Sequence, residues 1–338
     1  MELKSLGQII RTTVTLLCSL FAVASFAGGA FSDNPLSGCQ GTYLGEEPPG
    51  VEAKLFAPGV VSTFMAEDAG LLFTPDGNEL FIRIANFPMG IIYSLKCTDG
   101  VWEGAETAPF SGRYWEGRLA LTPDGERLFF SSPMPLSGDG PPKDNDFWYV
   151  RKTSTGWSDP VHLGFPLNSI HEENDLSVAA NGTIYFNREG TGLPFDIYRS
   201  RLEDGRYQEP ELLRIPGHDK YVEVAPMVAP DESYIVFTSS GRPDQAGSFD
   251  LYVTFQSQEG SWTEPKNLGD GVNSTFSDKF STLSPDGMYM FFVSRRPVEK
   301  NWSETRRTYD EMLTKYAGPG NGSTDIYWVS TEVIERHR

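Results

Sequence analysis

The chain has 338 residues, room for one large domain or two smaller ones, and its 34 glycines and 24 prolines cut it into short segments that favour strands over long helices. A formal charge of −18 and a pI near 4.6 create a field that repels phosphate backbones and anionic lipid surfaces, which argues against nucleic acid as a partner. Such acidity serves solubility first; attraction of cations or basic partners is the sharper reading.

Residues 1–27 read as a secretory signal peptide. Lys4 and Arg11 precede an apolar run from Val14 to Phe26, and Ser25 and Ala27 are the small residues before expected cleavage after Ala27. The run is too short and wrongly flanked for a stable membrane span, so a secreted or periplasmic protein without membrane insertion is expected. Cys18 falls in the signal, and Leu16-Leu17 before it make a poor lipoprotein cleavage box. Cys39 and Cys97 remain as an even pair in an oxidising compartment; a disulfide is the expectation and two thiols the alternative. Residues 28–50 form a Gly/Pro-rich irregular arm, and 51–338 a single domain.

Residues 52–59 (EAKLFAPG) resemble 209–217 (EPELLRIPG), a segment that closes a repeat in mid-chain. Five windows then align on a turn: 68–82 (DAGLLFTPDGNELFI), 116–130 (EGRLALTPDGERLFF), 173–186 (ENDLSVAANGTIYF), 223–237 (EVAPMVAPDESYIVF) and 278–292 (DKFSTLSPDGMYMFF). A repeat of roughly 50 residues has the spacing of propeller blades. Apolar alternation on both sides of Pro-Asp-Gly describes two antiparallel strands: proline presets φ, aspartate bonds its local backbone, and glycine tolerates positive φ.

A third strand opens on an Asp-apolar-aromatic signature, at Asp146, Asp196, Asp250 and Asp325; the first copy, Ile91-Ile92-Tyr93, lacks the aspartate. A fourth, outer strand follows an aromatic three residues before proline, as in Trp157 with Pro160 and Trp262 with Pro265, where an unpaired edge tolerates proline. The last repeat ends after its third strand, and 52–57 from the other end of the chain can supply the missing fourth. The expected fold is all-β, a five-bladed β-propeller of four-stranded antiparallel blades whose N-terminal strand closes the last blade. An insertion at 296–323 carries Tyr309, Met312, Leu313 and Tyr316 at helical spacing, with Ser303 as a cap and Gly318-Pro319 as a stop.

Every window starts on a carboxylate: Asp68, Glu116, Glu173, Glu223 and Asp278. Inner strands line a propeller's channel, so these five are expected as a ring at one mouth. Like charges held together raise one another's pKa and attract cations, giving a metal site, an acid/base pair or a funnel for a cationic ligand. The plain alternative is that each carboxylate bonds backbone N–H groups and serves the repeat. Trp115, His171 and Tyr221 break the repeat near the same mouth and join the five as candidate ligand-binding residues, with interblade packing as their alternative. Asp139, Asp144 and Asp146 offer a weak calcium loop; no cofactor is otherwise expected. His171-Glu172-Glu173 begins like a zinc-protease motif, but Asp175 stands where a second histidine is needed. Nucleophile elbows, phosphate loops and dinucleotide fingerprints are absent from the sequence.

The copies LTPDGERLFF and LSPDGMYMFF, each followed by an Asp-Ile-Tyr-like strand and the first of them also by a Trp-x-x-Pro segment, resemble the WD40-like β-propeller repeat of TolB-like periplasmic proteins. The resemblance implies a propeller in an extracytoplasmic setting but no reaction, because fold does not fix function. The leading expectation is a monomeric exported module that binds a protein, peptide or glycan at the carboxylate-lined mouth. The alternative is a glycoside hydrolase-like enzyme in which Glu116, Glu173 and Glu223 share acid, base or nucleophile roles.

Overall fold

The computed structural model describes residues 43–86, 89–188, 195–298 and 305–338; the expected signal peptide, most of the arm, Cys39 and Ser303 lie outside them. Five antiparallel sheets follow one another along the chain, each with its first strand innermost. Blade I comprises Glu67–Phe73, Glu79–Asn86, Met89–Thr98 and Glu106–Thr107; blade II comprises Leu119–Leu121, Arg127–Ser132, Asp146–Thr153 and Val161–His162. Blade III is Glu173–Val178, Ile184–Arg188, Asp196–Ser200 and Glu211–Leu212, and blade IV is Val222–Val228, Tyr234–Ser240, Asp250–Phe255 and Lys266–Asn267. Blade V takes Asp278–Leu283, Tyr289–Ser294 and Asp325–Ser330 from the C-terminal part of the chain and Lys54–Leu55 as its outer strand.

That outer strand closes the ring as the repeat phase requires. Lys54 faces Trp328 and Leu55 faces Tyr327, and Phe56 N–H donates to Ile326 O at 2.9 Å. Phe56 is fully buried against Phe291 and Trp328, and Tyr43 of the arm adds its ring to the same cluster. Burying one such side chain contributes about 2 kcal/mol, so the closure rests on packing more than on its two-residue ladder. Five separate apolar clusters fill the five blade interfaces, including the one between blades V and I, which is the packing signature of a closed ring.

The turns use the chemistry their sequences announce. In blade I, Thr74 donates its hydroxyl to Asp76 at 2.6 Å, Asp76 accepts Asn78 N–H at 3.2 Å, and Gly77 adopts φ 70°. Blade IV replaces the glycine with Glu232, which takes φ 61°. The Glu232 carboxylate offsets that strain by accepting Asn181 Nδ2 and the Tyr185 hydroxyl of blade III, both at 2.7 Å.

The insertion folds as the helix Tyr309–Tyr316, started by a Thr308–Glu311 capping box and followed by Gly318-Pro319. Its side chains are unburied, with Tyr309, Leu313 and Tyr316 at least half exposed, so the helix stands off the ring as the outer wall of a cleft. Cys97 is disulfide-bonded. Among the described residues no helix is long and apolar enough to cross a membrane.

Candidate functional site

The carboxylate at the head of each inner strand is buried and partnered. Glu116 accepts the Ser111 hydroxyl at 2.7 Å and Gly112 N–H at 3.3 Å. Glu173 accepts Ser169 N–H at 3.2 Å and its hydroxyl at 2.6 Å, with Arg188 Nε 3.1 Å away. Asp278 accepts Ser274 N–H at 2.6 Å, the Ser274 and Ser294 hydroxyls at 2.7 and 2.6 Å, and Arg296 at 2.7 Å. Glu223 pairs with Arg242 at 2.5 Å. None of these four is more than 2% exposed.

In blade I the seat belongs to Glu67, one residue before the Asp68 that counting back from the turn selects. The inner-strand bulge explains the offset: Glu67 to Leu71 spans four residues opposite the two from Ile84 to Ile82, whereas Lys279 to Thr282 in blade V spans three opposite two. Glu67 is fully buried and accepts the Thr63 hydroxyl at 2.5 Å. Asp68 is displaced towards the channel, 3.5 Å from Lys279 and 3.8 Å from Arg83.

Charge is balanced unequally around this ring. Blades III, IV and V bring Arg188, Arg242 and Arg296 to their carboxylates. The register opposite Glu67 places Ile84, and Asp325 of blade V adds like charge; Glu67 Oε2 and Asp325 Oδ1 are buried without hydrogen-bond partners, as is Glu223 Oε2. Burial pushes the Glu67 and Asp325 carboxyls up to about 8 and about 7 respectively. Burial also lifts Glu116 to about 7, opposed by the Ser111 hydroxyl.

Sequence reasoning missed what fills the channel. Arg118 of blade II is buried and reaches across to donate to the Pro226 carbonyl of blade IV at 3.1 Å and to the Ser281 carbonyl of blade V. Burial lowers its pKa to about 10, so it remains a cation at neutral pH, with Asp175 of blade III as its opposing charge. Arg83 donates to the Glu116 carbonyl at 2.5 Å and lies 4.5 Å over the Trp115 ring. A Cβ on Gly90 would stand 2.4 Å from the Arg83 guanidinium, which accounts for glycine there. A signal was present in the sequence: Arg118 occupies the position two after the buried carboxylate that is Ala69, Asp175, Ala225 or Phe280 in the other blades, and those four take left-handed φ. On the turn face the channel opens into a cavity of about 160 Å³ with Arg118 at its base and Pro75, Pro123, Pro230 and Pro285 among its walls.

The candidate aromatics and histidine are not gathered into one pocket. Trp115 is held under Arg83, Tyr221 lies 4.8 Å under Arg242, and His171 is exposed. Asp139 pairs with Arg113 at 2.5 Å and Asp146 with Lys143 and His162, and among the described residues no three His, Cys, Asp or Glu side chains converge as a metal site.

The loop face instead carries a cleft of about 850 Å³ between the insertion helix and the loops of blades IV and V. Arg295, Arg307 and Lys315 line it together with Phe276, Tyr316 and Asn321, and the described lining contains no carboxylate. Its inner wall depends on Gly247, where a Cβ would fall 1.6 Å from the Phe276 carbonyl that accepts Ser248 N–H at 2.9 Å.

No protein-family model and no curated protein matches the chain. Among solved structures, the chain is similar to one assigned to TolB from Agrobacterium tumefaciens, at 20% identity over 67% of this chain and 74% of that one, with a TM-score of 0.44. TolB from Acinetobacter baumannii is 14% identical over 78% of this chain and 54% of its own length, TM-score 0.45. An α-L-arabinofuranosidase from Lactobacillus brevis is 11% identical over 79% and 91%, TM-score 0.47.

Proposed function

We propose that this TolB-like five-bladed propeller is an exported binding module that takes a protein, peptide or glycan on its loop face. The observation that carries this reading is the division of labour there. The repeated carboxylates, which a hydrolase would need open to solvent, are occupied as internal acceptors for amides, hydroxyls and arginines. An element the four-stranded blades do not require, the insertion helix, builds a cleft within the size range of ligand sites and exposes Phe276 and Tyr316 in it. Ligand contact therefore belongs to the cleft, beside the mouth, and not to the carboxylates.

The test is a screen of the purified protein against peptide and glycan arrays, repeated with Phe276→Ala and Tyr316→Ala. The reading expects ligands that both variants weaken while melting temperature holds. An empty screen, or ligands indifferent to both variants, contradicts it.

A further inference from the structure

Backbone bonds between blades set the inner-strand carboxylate of one blade beside the third-strand aspartate of the blade before it. Glu173 N–H donates to Asn145 O at 3.4 Å, Asp278 N–H to Phe249 O at 2.9 Å and Glu67 N–H to Thr324 O at 3.0 Å. Those acceptors immediately precede Asp146, Asp250 and Asp325. Two acids buried side by side are costly unless cations or several donors accompany them.

The junctions meet that cost differently. Between blades II and III, Asp146 has Lys143 and His162, and Glu173 has Arg188. Between IV and V, Asp250 accepts Ala246 N–H, Gly247 N–H and Asn267 Nδ2 at 2.7, 3.0 and 2.9 Å, and Asp278 holds Arg296. Between III and IV, one Glu223 oxygen holds Arg242, and His218 stands 4.0 Å from Asp196. The seam between V and I has lost both devices. Its outer strand puts Leu55 opposite Tyr327, where the corresponding positions of blades II and IV are His162 and Asn267, and Ile84 faces Glu67 where Arg188 faces Glu173. Glu67 accepts the Thr63 hydroxyl and Asp325 accepts Gly320 N–H at 3.0 Å, but among the described residues neither belongs to an ion pair.

We propose that the seam between blades V and I is a calcium site whose carboxylate ligands are Glu67 Oε2 and Asp325 Oδ1. Both residues are fully buried and both of these oxygens lack a partner, as does the buried hydroxyl of Thr324, the residue whose carbonyl Glu67 N–H already meets. The unpartnered atoms are all oxygens, which selects a hard cation, and two carboxylates call for a divalent one. Magnesium keeps much of its water shell, for which a fully buried pair is a poor host, whereas calcium accepts an irregular set of carboxylate and neutral oxygens. The ion would tie the first strand of blade I to the third strand of blade V where the ring closes. This site is separate from the cleft and does not depend on what the cleft binds.

The experiment strips the purified protein with EDTA and titrates calcium by calorimetry at pH 8, with melts in EDTA, in about 5 mM CaCl2 and in about 5 mM MgCl2. The proteins are the natural chain, Glu67→Gln and Asp325→Asn. One calcium per chain is expected, with a Kd of about 0.1 mM as in extracellular calcium modules, and 5 mM calcium should raise the melting temperature by about 3 °C. Magnesium should raise it less. Each variant should lose the binding and the shift while melting in EDTA close to the natural chain. Because the ion displaces protons, it should bind tighter at pH 8.5 than at pH 6.5. A natural chain that binds no calcium overturns the proposal and leaves a proton shared between the two carboxyls as the source of positive charge. Calcium bound equally by both variants overturns it as well, since the ion then sits elsewhere.

Discussion

Replacing Asp278 with alanine separates a structural carboxylate from a functional one. Asp278 is fully buried and takes four donors: Ser274 N–H and hydroxyl, the Ser294 hydroxyl and the Arg296 guanidinium, all between 2.6 and 2.7 Å. Truncation strands that cation and three donors in a site that water does not reach. Breaking a buried pair by removing one partner costs about 4 kcal/mol. A chain of this length unfolds with an entropy near 0.7 kcal/mol/K, so the melting temperature should fall by about 6 °C. Asp278→Asn, which keeps the acceptor oxygen but loses the charge, should fall by about half as much. Removing Arg296 as well should recover part of the loss, since the double variant buries no uncompensated charge. Calorimetric melts of the four proteins, with ligand titrations alongside, read this directly. A melt within 1 °C of the parent, coupled to lost ligand binding, would refute the structural assignment.

Glu67→Gln should stabilise the protein above pH 8 and change little near pH 4.5. The Glu67 carboxyl is raised to about 8 when folded against an ordinary value of 4.5, so the folded state binds the extra proton across that window and stability declines as pH rises. The full span corresponds to about 5 kcal/mol, of which about 4 kcal/mol falls between pH 5 and pH 9, read by comparing the unfolding free energies of parent and variant from urea melts at those two pH values. Arg118→Met leaves the Pro226 and Ser281 carbonyls and Asp175 without their cation and should cost about 3 kcal/mol in the same assay; an unchanged midpoint would mean the channel is held by the blades alone. Gly247→Ala must push the Phe276 carbonyl away, so ligand affinity should fall even though no ligand-contacting side chain is altered. Retained affinity would place the ligand elsewhere.

The architecture was legible because each of its devices has a local sequence correlate. Pro-Asp-Gly turns, the third-strand aspartate and the misplaced 52–59 segment together specified five blades and their closure, and Lys54–Leu55 pairs where the repeat phase put it. Asp68 shows the limit of counting: an extra bulge residue, invisible to an alignment anchored on the turn, hands the buried seat to Glu67. The helix cap was similarly displaced, from Ser303 to Thr308, because the Thr308–Glu311 box satisfies two donors at once. The repeat marks Arg118 as a departure from the other blades, but what it touches, and the cleft, depend on contacts between blades far apart in sequence, up to Arg118 with Ser281, and periodicity within one repeat carries no information about those contacts. What periodicity did carry was the warning that a residue common to every blade serves the blade.

The most direct measurement pairs two variants, Glu173→Gln and Arg295→Gln, and records melting temperature and affinity for the cleft ligand for each. Glu173 is fully buried between Ser169 and Arg188, whereas Arg295 is exposed in the cleft. The account predicts that Glu173→Gln lowers the melting temperature and leaves affinity intact, and that Arg295→Gln lowers affinity and leaves the melt intact. The opposite pattern, affinity lost with Glu173→Gln and kept with Arg295→Gln, would return the function to the carboxylate ring.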